Sequence, residues 1–454
     1  MLGIPIWAHI RFNLSNFQSP GTFAMGKSRG SARLLLIIQT LFKKFTLQGF
    51  DVLSISQHGY LAELAGKIVN KFLTPINESL RNHDLKSKNL LISKPGTAIN
   101  LADFQEEWEI FPQKIYLLAL VLKVARQRQL LKEIADILKV LAENGLPLSS
   151  KQISIIVNGF FLAAAAKLYF QRKLRAHPPR VVFVTCYYTP VVAGVVAAAN
   201  SLGIATVDLQ HGVMHDNHLA YAHWYLPSGR LCILLPKYFW VWSLHDRDLI
   251  ESWAISGQHK AIVIGNQWHL YAQTNFKPTP ETDIWIKRIK SLTRPIVLIS
   301  LQHGVPNYGL LDWFVSFVKA HQGSYEFVVR NHPALFDQES QVQKQTAFCG
   351  ITPENFRFAT DIPLPVLLCL CTLHITFNSS VVIEAAQFGV PSIGLSPICE
   401  ELYPTEKMRG LLAVASSVGD LENRVRNFSE LQHRNTNHLG WDIMLKQAIM
   451  QVVG

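Results

Sequence analysis

Acidic side chains are in short supply: 32 Asp and Glu stand against 43 Lys and Arg, which leaves a formal net charge of +11. Charged residues of both signs make up only 17% of the chain and apolar ones 49%. That balance excludes wholesale disorder and suits a packed α/β enzyme, and 454 residues exceed one ordinary core, so two domains are expected. Cysteine is sparse. Cys186, Cys232, Cys349, Cys369, Cys371 and Cys399 form no Cys-x-x-Cys pair and sit mostly in apolar runs. A disulfide scaffold is therefore excluded, and reduced core thiols of a cytoplasmic protein are expected. No uncharged apolar run reaches the roughly 18 residues of a bilayer-crossing helix; the nearest, Ile155 to Ala166, contains Asn158. Met1 to Phe17 lacks a basic leader, a continuous apolar stretch and a small-residue cleavage site, so no signal peptide is read. No recognisable nucleic-acid-binding motif occurs, and nucleic acid is not an expected partner.

What the chain does hold is one tripeptide three times: Gln57-His58-Gly59, Gln210-His211-Gly212 and Gln302-His303-Gly304. Composition alone would give roughly 0.05 copies by chance. Each copy follows a short, β-branched apolar run (51–56, 205–209 and 295–301) and so reads as the carboxyl end of a buried strand, where open α/β sheets bind ligands. Glycine there allows close approach or a positive φ, and histidine can donate to an oxyanion or take a proton.

The charge is unevenly spread. Between Phe111 and Arg180 lie 12 Lys and Arg but only three acids, Glu133, Asp136 and Glu143. These basic residues interleave with apolar stretches at 115–122 and 153–166, which points to an anionic membrane surface as partner and to a peripheral position on its inner face. Arg172, Lys173 and Arg175, at the end of an apolar helix, are the expected anchor.

Strand–helix–strand patterns organise the rest. Strands are expected at 51–56, 180–186, 205–209, 238–242, 261–264, 295–301, 325–330, 374–377 and 389–394, with a small-residue helix from Pro190 to Leu202. Residues 1–44 read as a leader ending in a helix-like stretch, Arg33 to Phe45. A first Rossmann-like domain is expected over 45–271 with a basic helical insertion at 111–175. The polar, proline-containing 272–283 segment reads as a linker, and a second Rossmann-like domain follows over 284–454. The expected fold is thus α/β, two Rossmann-like domains facing across a cleft, with extra N-terminal helices.

Asn378, Ser379 and Ser380 stand where a strand feeds a helix, a place suited to a phosphate, and Glu384 lies one turn further, within reach of ribose hydroxyls. Arg330 and His332 leave an extended segment on the same side and could clamp a phosphate, with Pro333 fixing the turn. The segment from Gln210 to His223 is crowded with histidine, but its spacing matches no zinc pattern, and no metal is expected. His211, His215 or Asp216 is expected to face the cleft as acid, base or acceptor ligand, and Asp208 alternates with Gln210 and could reach it too.

In order, these pieces resemble bacterial GT-B-type glycosyltransferases of capsule and lipopolysaccharide assembly, including Kdo- and sialyl-transferases, and are similar to polyol-phosphate transferases that use CDP-glycerol. The resemblance covers residues 180–400 well, 45–80 weakly, and 1–44 and 98–175 not at all. It implies that His332, Ser379 and Ser380 hold the phosphate of a donor nucleotide, cytidine favoured, and that Glu384 binds its ribose. It places Gln210, His211 and Gly212 near the transfer centre in an acceptor-binding first domain, the second binding the donor. The acidic pair seven residues apart of many retaining relatives is missing: Phe377 stands where it would begin. The implied activity moves a sugar from a nucleotide donor to a glycan or lipid-linked acceptor without a metal or other cofactor. A polyol-phosphate transferase and an inactive glycan- or lipid-binding scaffold are the alternatives.

Overall fold

A computed structural model of the chain describes residues 2–18, 45–92, 100–225, 232–254, 258–429 and 440–453. Most of the helix expected over Arg33 to Phe45, and the start of the loop expected at 98–108, lie outside these residues. The chain forms two compact units: Met1–Glu63, Lys67–Gln267 and Gly440–Gly454 make the first, Leu64–Gly66 and Trp268–Leu439 the second.

The first unit is built on seven parallel strands: β1 (Val52–Gln57), β4 (Ser87–Ile92), β5 (Trp108–Ile110), β6 (Val181–Thr185), β7 (Ala205–Leu209), β8 (Tyr238–Val241) and β9 (Lys260–Val263). They run in the order β5-β4-β1-β6-β7-β8-β9, with β2 (Leu61–Leu64) and β3 (Lys67–Asn70) as a separate hairpin. Both faces of the large sheet are covered, which is why β6 is apolar at four successive positions and wholly buried. Alternate residues serve the two faces. Leu53, Ile55, Val182 and Val184 join the core holding Phe160 and Ala164; Val52, Val181, Phe183 and Val207 join Leu73, Ile76, Leu445 and Ile449.

Two long helices, Lys114–Glu143 and Ser150–Ala176, form the basic insertion. The second opens on a capping box between Ser149 and Gln152 and packs on the Pro190–Asn200 helix. Small residues permit that contact: a Cβ on Gly194 would lie 2.2 Å from the Ala163 carbonyl oxygen. The apolar 153–166 stretch is therefore mainly a core element, with residues 156–157, 159–161 and 163–166 buried, and not the membrane face expected of it. Lys173, expected to anchor lipid, donates to the Phe45 carbonyl at 2.7 Å.

The second unit carries β10 (Ile296–Ser300), β11 (Glu326–Arg330), β12 (Leu373–Thr376), β13 (Ser392–Gly394) and β14 (Leu412–Val414). All are parallel, in the order β11-β10-β12-β13-β14. The domain boundaries differ from the expected ones. Residues 272–283 are largely helical, in Gln267–Asn275 and Pro280–Ser291, because Thr279 caps the second helix by accepting the Thr282 N–H and Pro280 suits its first turn. The Trp441–Val453 helix belongs to the first unit, where Leu445, Ala448 and Ile449 are buried. Gly265 makes room for it: at φ +71° it lies so near the Trp441 ring that a Cβ would fall 2.4 Å from it. Gly265→Ala is expected to cost about 1–3 kcal/mol in chemical denaturation through this overpacking. An unchanged midpoint would mean that Trp441 is free to move aside.

In each sheet the strand order reverses once. The connections leave β1 toward β4 and β5 on one side and β6 to β9 on the other; β10 and β12 are the equivalent pair in the second unit. The crevice beyond the carboxyl ends of such a pair is the usual ligand site of an open parallel sheet.

Candidate functional site

In the second unit the strand ends at that point carry the third Gln-His-Gly copy and the Asn-Ser-Ser segment. They are tied together: the Gln302 side-chain carbonyl accepts the Asn378 N–H at 3.0 Å. The Gln302 N–H bonds back to the Tyr308 carbonyl, closing a loop in which Gly304, Asn307, Tyr308 and Gly309 all have positive φ. Gly309 has no substitute there, since a Cβ would meet the Phe377 Cβ at 2.9 Å. The loop leaves His303 and Gly304 exposed, with the His303 ring 6.4 Å from that of His332 and nearly parallel to it. Asn331, between Arg330 and His332, is buried; its N–H donates to the Thr360 hydroxyl, and its side-chain amide meets no partner among the described residues.

Ser379 is buried, and its hydroxyl accepts the Val381 N–H at 3.4 Å. Ser380 is exposed and starts the seven-residue Val381–Gln387 helix without a side-chain cap. Glu384, 21% exposed, faces the fully buried imidazole of His269 at 3.4 Å, and the ring of Phe388 packs on that imidazole. Sequence reasoning missed His269. Its partner is 115 residues away, and no local pattern announces it.

Arg330 does not project as a phosphate clamp. One guanidinium nitrogen donates to the Ala359 and Ile362 carbonyls, both at 2.6 Å, closing the end of the Pro353–Asp361 helix. Burial lowers its pKa to about 10, against the opposing pull of Glu384 and Asp361. It secures the element behind the site. Pro333 begins a 3-10 turn, as its fixed φ suits.

In the first unit β1, β6 and β7 end side by side. The first Gln-His-Gly copy brings in the residue after it: Tyr60 lies with its ring 5.3 Å from that of His211. The His211 Nδ1 faces the Leu209 carbonyl and Nε2 faces the Tyr188 hydroxyl, both at 3.3 Å. Enclosure lowers the imidazole pKa to about 4. His218, in contact with Tyr188 and Tyr221, is lowered to about 4 by burial and by His215 and His211. Cys186, at φ +58°, lies among Tyr60, Tyr188 and Gln57, and burial pushes its thiol up to about 12. His58 follows the strand as the first residue of a short 3-10 turn, its side chain only partly buried. Phe72 and Trp242 complete the aromatic wall around His211.

Two expectations fail here. Asp208 does not reach a crevice. It is fully buried, accepting the Tyr221 hydroxyl at 2.8 Å and the Tyr187 N–H at 3.2 Å, and burial raises its pKa to about 8. Gln210 is likewise buried, and it spends its side chain on the Gly212 carbonyl and the Trp242 N–H. Both shape the corner that presents His211. His215 is half-buried beside the exposed Asp216, its Nδ1 accepting the Asn217 N–H; Gly212 has open space where a Cβ would stand. Among the described residues no group of three or more His, Cys, Asp or Glu is placed to hold a metal ion.

No family model matches the chain, and no curated protein matches it in sequence. Solved structures do. The UDP-GlcNAc 2-epimerase of Methanocaldococcus jannaschii is 13% identical, with 88% of this chain and 99% of that one aligned at a TM-score of 0.51. The UDP-GlcNAc 2-epimerase of Neisseria meningitidis, solved with UDP-GlcNAc, gives the same identity, coverage and score. At such identity the likeness establishes the fold: two Rossmann-like domains of the GT-B kind.

Proposed function

We propose that the chain is a glycosyltransferase that moves a sugar from a nucleotide-activated donor, a cytidine nucleotide favoured, onto a surface-polysaccharide or lipid-linked glycan acceptor at the inner face of the membrane. The observation that carries this reading is the Gln302–Asn378 bond. It joins the two strand ends at the switch point of the second unit, beside the paired rings of His303 and His332, and the helix that follows Asn378 carries the largely buried Glu384. Exposed backbone at Gly304, the imidazole of His332 and the Ser379 segment suit a diphosphate or phosphodiester, and Glu384 suits vicinal ribose hydroxyls. Transfer of a sugar from a phosphate needs stabilisation of the leaving group more than covalent chemistry. In the first unit, the neutral His211 imidazole among aromatic rings suits an acceptor hydroxyl.

Calorimetry with CMP, UDP and GDP tests the donor site. His332→Ala and Ser379→Ala are each expected to weaken the best nucleotide roughly 10- to 150-fold, the loss of one charge-assisted hydrogen bond at about 1.5–3 kcal/mol. Melting temperatures should stay close to wild type. Unchanged affinity in both variants would sink the site. Turnover is expected to survive EDTA, with His332 and main-chain N–H groups meeting the phosphate charge; loss of activity restored by manganese would overturn that. The likeness to epimerases supports a second reading, isomerisation of the nucleotide-bound sugar. Product analysis separates the readings: a glycoside for the first, an epimeric nucleotide sugar for the second, and a phosphodiester for polyol-phosphate transfer.

A further inference from the structure

We propose that the outer face of the Lys114–Glu143 helix is a docking surface for an anionic lipid bilayer. It rests on the membrane location suggested above and gives it a specific surface, whereas the sequence had spread it over both apolar stretches and put the anchor, Arg172, Lys173 and Arg175, on the following helix.

Helical periodicity puts residues 117, 120, 121, 124, 128, 131, 132, 135 and 139 on one stripe. They are Leu117, Leu120, Val121, Val124, Arg128, Leu131, Lys132, Ala135 and Lys139, and every one is exposed. Val124 is 81% exposed and Leu120 57%, while Ile115, Ala119, Leu130 and Ile134 on the other side of the helix are buried in the core. A helix normally turns its polar side outward. This one turns a run of four aliphatic side chains outward, followed along the same stripe by three cations and one more leucine. At 1.5 Å per residue the stripe is roughly 33 Å long, so it can lie along a surface with its first two turns inserted.

Charge selects the occupant. The acids of this helix, Glu133, Asp136 and Glu143, lie off the stripe, with Glu143 at its edge 3.9 Å from Lys139. A second copy of the chain would bring Arg128 and Lys132 against like charges. Residues 19–44, outside the described residues, carry Lys27, Arg29, Arg33, Lys43 and Lys44 in sequence and no acid, so they offer nothing to offset the charge of Arg128, Lys132 and Lys139. A nucleic acid would meet the cations but leave the aliphatic run in water. An anionic bilayer satisfies both, with phosphate headgroups for Arg128, Lys132 and Lys139 and an acyl boundary for Leu117, Leu120, Val121 and Val124.

The test is flotation of the full chain with vesicles of phosphatidylcholine alone and with 30% phosphatidylglycerol, at about 0.05 M and 0.5 M salt. Binding is expected only with the anionic lipid and should weaken at high salt, where the Debye length shrinks. Arg128→Glu with Lys132→Glu should lower the partition coefficient at least about 25-fold, roughly fivefold for each cation lost. Leu120→Ser with Val124→Ser should lower it as well, and both pairs replace exposed side chains, so melting temperature and nucleotide affinity should hold. Absence of binding to anionic vesicles at low salt, or binding that neither pair weakens, overturns the proposal. So does concentration-dependent dimerisation abolished by the Ser pair, which would make the stripe a contact between copies. None of these outcomes touches the nucleotide site, which calorimetry judges separately.

Discussion

Replacing His211 by Ala is expected to lower turnover about 10²- to 10⁴-fold, the usual worth of a positioned acid or base, while leaving nucleotide affinity within about twofold of wild type. The geometry gives the imidazole one orientation. Nδ1 faces the Leu209 carbonyl and so carries the proton, which leaves Nε2 as an acceptor toward the Tyr188 hydroxyl. With its pKa held at about 4 by enclosure, the ring is neutral throughout the physiological range. An acceptor-glycan hydroxyl would replace the tyrosine proton on Nε2 and be oriented by it. The pH dependence follows with a definite sign. Turnover should be flat from pH 8 to about pH 5 and fall only as Nε2 takes a proton near pH 4. Steady-state kinetics, calorimetry and thermal melting on the same variant decide the matter. If melting temperature falls in step with rate, and nucleotide affinity with it, His211 is a packed corner residue and the transfer centre lies elsewhere.

The parallel sheets were legible because their strands are buried on both faces. Runs such as Val181–Thr185 and Ile296–Ser300 announce themselves by uninterrupted apolar, β-branched residues. Ser87–Ile92 did not, and the reason is chemical. The core beside it holds a polar network: Asn77 donates to Asn89 and Glu106, Thr74 donates to Glu106, and the Asn70 side chain donates to Ser56. Polar groups that satisfy one another inside a fold erase the hydropathy signal on which strand recognition depends. Each Gln-His-Gly copy does stand at the end of a parallel strand, but its side chains turn to different tasks. In both well-marked copies the glutamine ties the loop, Gln302 to Asn378 and Gln210 to Trp242. Only neighbours outside each copy, Tyr60 for the His211 of the second and His332 for the His303 of the third, show what those histidines meet. Asp208 and Arg330 misled for a common reason: period-2 alternation gives the side of a strand but not whether that side is solvent, core or a helix end. Long-range pairs such as His269 with Glu384 and Gly265 with Trp441 have no local signature at all.

Asp208 gives the largest expected effect on stability. A carboxyl normally near 3.8 is raised to about 8 by complete burial, which outweighs the stabilising bonds from the Tyr221 hydroxyl and the Tyr187 N–H. The folded chain therefore binds this proton over a pH range in which the unfolded chain has lost it. Stability from this group is fully present below about pH 4 and is lost progressively as pH rises through 8. The loss is on the order of 6 kcal/mol at most, since a tenfold change in proton affinity is worth about 1.4 kcal/mol. Asp208→Asn keeps the size and an acceptor for the Tyr187 N–H but removes the titration. Urea denaturation of both proteins, followed by tryptophan fluorescence at intervals from pH 4 to pH 8, should show the two close at the acid end and the variant increasingly more stable toward pH 8. Other titrating groups, such as Glu106 raised by burial to about 7, are common to both proteins and cancel in the difference. Parallel stability curves for the two would mean that Asp208 is ionised in the folded chain, compensated through its tyrosine partners, and would remove the basis for treating it as a neutral structural acid behind His211.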